Sequence, residues 1–321
     1  MADFDVFNGD ADGICALVQL RRATPRTTKL VTGVKRDIKL LSRIDTWPGD
    51  HLMVLDISMR TNIDDLKRIL KTGATVHYID HHVVSETPTN SNLRANIQTK
   101  PEKCTAIIVN ETLDGAYLEW ACMAAFGDNL VEIAYETIKP LGLDEAQVEL
   151  LKEFGQLVNY NAYGHTISDL HYAPGDLFRR FVRYDTPSEF LAANMDVYET
   201  LKAGYQDDMA KAKASLEVEP HIYILEDAPW ARRIYGSFIN ELALETPGKP
   251  HAVITHNAQG GYMVSVRAPR ADPDPQAYFL CVKFPTGGGR HPAAGINNLH
   301  PARFDSFVYA FENIFKEFLK T

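Results

Sequence analysis

The stretch at 51–82 constrains the fold more than any other part of the sequence. "HLMVLDIS" (51–58) is a short apolar run, which is typical of a strand buried on both faces. "TNIDDLKRILKTG" (61–73) has helical spacing, with Thr61 as a candidate N-cap and Gly73 as a natural stop, and "ATVHYIDHH" (74–82) again has a strand pattern. Strand, helix and strand within about thirty residues make a βαβ unit. The sequence therefore predicts a parallel sheet.

Patterns typical of strands and helices also occur in the rest of the chain, where they divide into two parts. The length of 321 residues suggests two domains. We expect an α/β fold, with an N-terminal domain (1–190) that holds a parallel β-sheet flanked by helices, a helical linker (191–218), and a smaller C-terminal α/β domain (219–321). The further predicted elements are strands at 3–7, 29–34, 221–225, 251–256 and 261–267, helices at 13–22, 230–244, 274–283 and 302–319, and a mostly helical stretch at 105–160.

The composition limits the kinds of molecule and the cellular compartment that we expect for this protein. The net charge of −9 argues against binding of long nucleic acid by bulk charge. An apolar run of 18 or more residues is absent from the sequence, so we expect no membrane segment. The four cysteines are scattered without a CxxC pair, and the N-terminal residues lack a signal-peptide pattern. We therefore expect the cysteines to be reduced and buried, and the protein to be cytoplasmic.

Acidic clusters follow three of the predicted strands. Asp10 and Asp12 lie after the first strand, Asp56 after the strand at 51–58, and Asp80-His81-His82 at the end of the next. In open parallel sheets, sites form outside the carboxyl ends of the strands, so these residues should converge. Carboxylates and imidazole without thiolate suit Mn²⁺, Mg²⁺ or Zn²⁺.

Each cluster taken alone has an ordinary explanation. Residues 8–13 match the first half of an EF-hand loop, although a strand, not a helix, precedes them and Gln19 stands where that loop carries Glu. An Asx turn at 8–13, a helix cap at Asp56 and a polar loop at 80–82 would also account for these residues. Their shared placement at strand ends favours a common site.

At these residues the chain resembles the DHH phosphoesterase superfamily. The resemblance consists of Asn8-Gly9-Asp10-Ala11-Asp12-Gly13, Asp56 in "VLDIS" and the name-giving Asp80-His81-His82. Far downstream, "GGGRHPAAGINNL" (287–299) resembles the glycine-rich motif of the DHHA1 domain. The resemblance implies a site for two divalent ions, usually Mn²⁺ with Mg²⁺ as the alternative. It assigns metal ligands to Asn8, Asp10, Asp12, Asp56 (bridging), His81 and Asp128.

Asp128 and Asn8 each have a second interpretation. Asp128 in "CMAAFGDN" could instead cap a helix that starts near Leu130. Asn8 stands where many relatives carry Asp, and Val6 where others carry His, so the amide oxygen of Asn8 supplies one charge less. The resemblance further implies that His82 contacts the substrate phosphate and that Asp80 orients a histidine.

The resemblance also implies where substrate binds. Gly287, Gly288 and Gly289 would offer backbone N–H groups to an anion, and Arg290, His291 and Arg267 would add charged contacts. Arg290 is itself a departure, because many relatives run straight from glycine to histidine. A flexible loop at 287–289 and a surface role for Arg267 are the ordinary alternatives.

The implied chemistry is hydrolysis of a phosphoester by in-line attack of a hydroxide activated by two metal ions. The leading hypothesis is cleavage of short oligoribonucleotides, especially 5′-phosphorylated linear dinucleotides such as pGpG, to mononucleotides, with no long nucleic acid or membrane as partner. Alternatives are a pAp phosphatase, a cyclic-dinucleotide phosphodiesterase, an exopolyphosphatase, and a DHH protein that binds a nucleotide without cleaving it. The sequence leaves the oligomeric state open, a homodimer included.

Overall fold

The structure, a computed structural model, describes residues 2–270 and 277–320. The chain folds into two compact units, Met1–Lys202 and Ala203–Thr321. In the described residues the first unit contains the following helices and strands in chain order: β1 (Asp3–Phe7), α1 (Ala11–Ala23), β2 (Lys29–Val31), β3 (His51–Leu55), α2 (Met59–Lys71), β4 (Thr75–Asp80), β5 (Leu93–Ile97), α3 (Thr105–Thr112), α4 (Leu118–Gly127), α5 (Val131–Ile138), α6 (Glu145–Asn161), α7 (Pro174–Phe181), α8 (Pro187–Ala193) and the start of α9 (Met195–Lys213).

The second unit begins inside α9. Its further elements are β6 (Leu216–Glu219), β7 (Ile222–Ile224), α10 (Pro229–Glu245), β8 (His251–His256), β9 (Tyr262–Arg267), α11 (Ala277–Cys281), β10 (Gly287–Gly289), β11 (Ala293–Leu299), α12 (Phe304–Ile314) and α13 (Lys316–Leu319). The described strands form a mixed sheet in the order β10-β11-β9-β8-β7-β6. Among these described strands, only the β7–β8 pair runs parallel.

The sheet of the first unit is parallel throughout, as the βαβ pattern predicts. Its order is β2-β1-β3-β4-β5, and every neighbouring pair is parallel. The α/β fold class is therefore confirmed. Since all five strands run in the same direction, the residues that follow β1, β2, β3 and β4 meet at one edge of the sheet.

Several predicted boundaries are wrong in detail. α1 begins at Ala11, so Asp12 and Gly13 lie in its first turn. α2 begins at Met59 with Ser58 at the N-cap position, so Thr61 is a residue of the helix and not its cap. The predicted helix at 302–319 is two helices that meet at Phe315, and part of the predicted helix at 274–283 lies outside the described residues.

The structure also contains strands that the sequence did not predict. β5 lies at one edge of the parallel sheet, and β6, β10 and β11 extend the mixed sheet. β10 covers Gly287–Gly289, for which the sequence predicted exposed backbone N–H groups that bind an anion, with a flexible loop as the alternative. Glycine weakens a strand, so pairing with β11, and not local preference, determines this strand.

Close helix packing positions the end of α4. A Cβ atom on Gly155 of α6 would lie 2.2 Å from the carbonyl oxygen of Met123, and one on Gly127 would lie 2.6 Å from the Cβ of Ala11. Glycine is thus required at both positions so that α4 can approach α6 and the start of α1. This approach fixes Asp128, the residue after Gly127, beside the carboxyl edge of the sheet.

The glycine contact predicts an effect on stability. We expect Gly155→Ala to lower the free energy of unfolding by about 1–3 kcal/mol, because the added methyl group cannot fit without displacing α4. Urea denaturation followed by circular dichroism measures this change. Gly236→Ala in α10 is the matched control, since a Cβ there meets no atom within 4 Å among the described residues. We expect it to leave stability unchanged or raise it by about 0.5–1 kcal/mol. An unchanged stability in Gly155→Ala would contradict the close packing.

None of the helices in the described residues is both long enough and apolar enough to cross a membrane. All four cysteines are buried and free of disulfides, as expected.

Candidate metal centre

Asp10 is fixed by the start of α1. It is the N-cap residue, and its Oδ1 accepts hydrogen bonds from the backbone N–H groups of Asp12 and Gly13, both at 3.1 Å. Burial alone would raise the pKa of Asp10, but the ammonium of Lys35 and these hydrogen bonds outweigh burial and lower it. Asp10 is therefore an ionised carboxylate at the edge of the sheet, fixed in position by these hydrogen bonds and by Lys35.

Asp12 is oriented by the start of α3. Its Oδ2 accepts the N–H of Thr105 and its Oδ1 the N–H of Ala106, both at 2.7 Å. The first N–H groups of a helix lack partners within it and carry partial positive charge, so they stabilise the buried carboxylate. Each carboxylate oxygen has a second lone pair, which leaves Asp12 able to bind a cation as well.

Asp56 lies at the centre of the cluster, directly after β3. Its φ of 56° is in the left-handed region, which is uncommon for residues other than glycine, although Asp and Asn adopt it more readily than most. The side chain is 3% exposed. Burial, and then the nearby carboxylates of Asp10, Asp12, Asp80 and Asp128, raise the pKa of Asp56 well above its usual value. A bound cation would relieve this repulsion.

His81 presents one ring nitrogen to the carboxylates. Its Nδ1 lies 2.9 Å from the carbonyl oxygen of Lys103, so Nδ1–H donates and Nε2 keeps its lone pair. Nε2 lies 3.5 Å from Oδ1 of Asp56, and 4.0 Å from Oδ2 of both Asp12 and Asp128. A histidine held by a backbone carbonyl in this manner is the usual arrangement of a metal-binding imidazole.

Asp80 orients His82 and not His81. Nδ1–H of His82 donates to Oδ1 of Asp80 over 2.7 Å, and Nδ1 is 3.8 Å from Oδ1 of Asp56. This hydrogen bond raises the pKa of His82, while burial opposes the rise. Asp80 is fully buried, and its Oδ2 has no hydrogen-bond partner within the described part of the chain.

Asp128 completes the cluster from the end of α4. It is the C-cap residue of α4, and α5 begins at Val131 with Leu130 at its N-cap position, so Asp128 does not cap the next helix. Burial and the charge of Asp12 raise the pKa of Asp128 to about 6, although Lys35 opposes this. The carboxylate reaches the same space as Asp12 and His81.

Asn8 follows β1 and contributes a neutral amide. Its Nδ2 donates weakly to the carbonyl oxygen of Lys35 at 3.4 Å. Its Oδ1 is buried and, as far as residues 2–270 and 277–320 are concerned, has no hydrogen-bond partner. A buried amide oxygen without a donor suits a cation, so the predicted ligand role of Asn8 fits this geometry.

The donor set fits divalent cations. Two groups of three side chains each bring one ligand atom apiece to within 4.8 Å of one another: Asp56, His81 and His82, and Asp12, His81 and Asp128. Oxygen and imidazole donors suit Mn²⁺, Mg²⁺ or Zn²⁺. Burial and the nearby carboxylates raise the pKa values of Cys15 and Cys104 well above the usual value, so these buried cysteines stay as neutral thiols. All six ligands predicted from the sequence thus lie around the carboxyl edge of one sheet.

Lys35 is the residue that sequence analysis missed. It follows β2, at the same edge of the sheet, and its Nζ lies 2.7 Å from Oδ2 of Asp10. The only signal in the sequence was a lysine just after a predicted strand, which is also the signal of an ordinary surface lysine.

The predicted substrate residues belong to the second unit. Arg267 ends β9, and its Nε and Nη2 donate to Oδ1 of Asn240 at 3.0 and 2.8 Å. Gly287 donates its N–H to the carbonyl oxygen of Phe284, and a Cβ on Gly287 would lie 1.8 Å from the carbonyl oxygen of Cys281. The three glycines therefore form an edge strand and not a loop, and Gly287 lies in close backbone contact with Cys281.

Arg290 and His291, which follow this strand, are exposed. Within the strand, a Cβ on Gly288 would meet no atom within 4 Å in the described structure. The ring of His291 lies 6.2 Å from that of Phe279, nearly parallel to it. The chain beyond β10 thus offers a guanidinium and an imidazole beside an open glycine.

The crowded carboxylates predict a cost in stability. We expect Asp56→Asn to raise the free energy of unfolding of metal-free protein at pH 8 by about 1 kcal/mol or more, because it removes a buried charge from among like charges. A carboxyl whose folded pKa is raised destabilises the fold increasingly as pH rises from its unfolded pKa to its folded pKa, so the gain should be smaller at pH 5 than at pH 8. Asparagine also tolerates the left-handed φ of residue 56.

Urea denaturation in EDTA at both pH values measures the effect of Asp56→Asn. Asp65→Asn is the control, since Asp65 forms a surface ion pair with Arg68 at 3.1 Å and should change stability little. Destabilisation of Asp56→Asn at pH 8 would contradict the repulsion.

Several solved structures share the fold of this protein over nearly the whole length of its chain. A crystal structure of exonuclease RecJ bound to manganese matches with a TM-score of 0.56 and 16% identity, covering 97% of this chain and 89% of that one. RecJ with Mn²⁺ from Thermus thermophilus matches with a TM-score of 0.59 and 17% identity, but this chain covers only 52% of it. A pGpG-specific phosphodiesterase, PggH from Vibrio cholerae, matches with a TM-score of 0.54 and 14% identity over 98% of this chain and 99% of that one.

At identities this low, the matches to solved structures show a shared fold and nothing more. A comparison with curated protein sequences finds no match. The family model described as "DHH family, N-terminal domain" matches residues 5–154, which include every predicted metal ligand and nearly all of the parallel sheet. Residues 5–154 therefore form a DHH-family domain, and the DHH family comprises phosphoester hydrolases.

Proposed function

We propose that this protein hydrolyses short oligoribonucleotides, especially 5′-phosphorylated linear dinucleotides such as pGpG, to mononucleotides. The observation that carries the proposal is the convergence of Asp12, Asp56 and Asp128 within 4.0 Å of the His81 Nε2 atom in a DHH-family domain. Divalent ions held there, Mn²⁺ before Mg²⁺, would activate water and neutralise the phosphoryl oxygens.

Two ion positions follow from the ligand groups. Nε2 of His81 has one lone pair and can bind only one ion, and Nδ1–H of His82 donates to Asp80. Asp56 and His81 would therefore hold one ion, and Asp12 and Asp128 the other, with Asp10 and the amide oxygen of Asn8 beside them. Asp56 lies between Asp10 and the histidines and would bridge the ions.

His82 would serve the reacting phosphate. Its Nδ1–H is engaged by Asp80, which holds the ring and favours its protonated form. The remaining Nε2–H can then donate to a phosphoryl oxygen or supply a proton to the leaving oxygen. Asp80 is a positioning residue in this scheme, because it acts through His82.

The net charge supports a small substrate, because a charge of −9 disfavours long nucleic acid. The extent of the match is common to both kinds of enzyme, since the chain covers 99% of the pGpG-specific phosphodiesterase and 89% of one RecJ exonuclease. Arg290, His291 and Arg267 of the second unit would bind the 5′-phosphate.

A substrate panel tests the proposed activity. Purified protein with Mn²⁺ should cleave pGpG and pApA rapidly, a 5-mer RNA more slowly and a 20-mer RNA least. The panel also includes pAp, cyclic dinucleotides and polyphosphate, with products separated by chromatography. We expect Asp80→Ala/His81→Ala to abolish turnover, because it removes an imidazole ligand and the residue that holds His82.

The control for this double variant carries the same two substitutions away from the site. Asp45→Ala/His300→Ala changes an exposed aspartate and an exposed histidine, and it should retain wild-type activity. Faster turnover of polyphosphate, pAp or a cyclic dinucleotide than of linear dinucleotides would replace the proposed substrate. Tight nucleotide binding without turnover of any compound would favour the non-catalytic alternative.

The phosphate contacts predict a separate effect on KM. We expect Arg290→Ala/His291→Ala to raise KM for pGpG about 10-fold or more with little change in kcat, since charge-assisted hydrogen bonds contribute about 1.5–3 kcal/mol each. The same variant should not affect a dinucleotide that lacks the 5′-phosphate. Arg303→Ala, an exposed arginine of the same unit, is the control. Equal losses with both substrates would contradict recognition of the 5′-phosphate.

A further inference from the structure

Lys35 is held in place by the backbone around it. It follows β2, and its N–H donates to the carbonyl oxygen of Ala162 at 2.8 Å, while its own carbonyl oxygen accepts from Asn8 at 3.4 Å. A Cβ on Gly9 would lie 1.9 Å from the carbonyl oxygen of Gly33, so the loop after β2 lies directly against the loop after β1. The position of Lys35 is thus built into the same edge of the sheet as the carboxylates.

The ammonium of Lys35 is surrounded by oxygen atoms. Its Nζ lies 2.7 Å from Oδ2 of Asp10, 3.0 Å from Oδ1 of Asn159 and 3.8 Å from Oδ1 of Asp128. The ring of Tyr163 lies 5.6 Å away on a further side. This environment of two carboxylates and an amide oxygen resembles that of a bound cation more than that of a surface lysine, which usually faces water.

Lys35 engages the same carboxylates that an ion would need. Both oxygens of Asp10 already accept hydrogen bonds, Oδ1 from two backbone N–H groups and Oδ2 from Lys35. Asp128 is shared, because its Oδ1 faces Lys35 and its Oδ2 faces His81. Asp56, by contrast, lies next to both histidines and has no lysine or arginine among its described ion-pair partners.

We propose that Lys35 is a resident cation of the metal centre, so that the protein binds one divalent ion tightly and a second only by displacing the ammonium from Asp10 and Asp128. The tight ion would lie at Asp56 and His81, and the weak one at Asp12 and Asp128 beside Asp10, where Lys35 now lies. This inference rests on the metal centre of the proposed function, but not on the identity of the substrate.

Charge balance gives the physical reason. Asp10, Asp12, Asp56 and Asp128 supply four negative charges when ionised, and Asn8 adds none. One divalent ion and Lys35 leave a net charge of −1, whereas two ions and Lys35 give +1 before any anionic substrate binds. An ammonium and a divalent ion that share one carboxylate also repel each other in a site with little water. Binding of the second ion must overcome that repulsion.

Titration of metal-free protein with Mn²⁺ tests the proposal. Electron paramagnetic resonance counts free ions and distinguishes an isolated bound ion from a spin-coupled pair. Wild-type protein should bind one ion tightly and the second about 100-fold more weakly, as expected for like charges forced together. Lys35→Met, which keeps most of the length of the side chain without its charge, should tighten the second ion about 10-fold or more and yield the coupled signal at lower Mn²⁺ concentration.

Two further variants control the test. Lys35→Arg keeps the charge and should bind like wild type. Lys152→Met removes a lysine that pairs with Glu149 at 3.1 Å away from the site, and should also bind like wild type. Circular dichroism verifies that each variant is folded. If Lys35→Met does not fold, two ions of similar affinity in wild-type protein would still overturn the role of Lys35.

The outcomes separate the role of Lys35 from the metal centre itself. Two ions bound by wild-type protein with similar affinities, or an unchanged second affinity in Lys35→Met, would overturn the role of Lys35 and leave the proposed hydrolysis standing. Binding of no ion at all would overturn the metal centre and the role of Lys35 together.

Discussion

Mutual repulsion of buried carboxylates is the constraint on which the rest of the first unit depends. Asp10, Asp12, Asp56 and Asp128 converge because parallel strands deliver the residues that follow them to one edge, where the end of α4 also lies. The fold offsets this repulsion with backbone N–H groups at the starts of α1 and α3 and with the ammonium of Lys35. Where these donors do not reach, at Asp56, the pKa rises well above its usual value.

The same constraint explains why the site is so rigidly built. Asp56 adopts a left-handed φ, His81 is fixed by a backbone carbonyl, and His82 is fixed by a buried aspartate. Each of these features limits the movement of one donor atom. The proposed roles of these groups, binding a cation and acting on a phosphate, require a defined geometry, which such support provides.

The sequence predicts the part of this structure that leaves a periodic or spaced signal. The parallel sheet follows from the buried strand patterns at 51–58 and 74–82, and most of the ligands follow from their positions at strand ends. Lys35 escapes prediction because its partner Asn159 lies 124 residues away. The left-handed φ of Asp56 and the strand at Gly287–Gly289 also depend on neighbours distant in the fold or in the chain, and local residue preferences would have predicted neither.

The central claim is that the carboxyl edge of the parallel sheet is a divalent metal centre. Anomalous diffraction from crystals of the protein grown with Mn²⁺ tests it most directly, because it locates the metal without reference to activity. We expect an anomalous peak in contact with Asp56 and with Nε2 of His81. Mn²⁺ peaks elsewhere on the chain, with none at this edge, would contradict it.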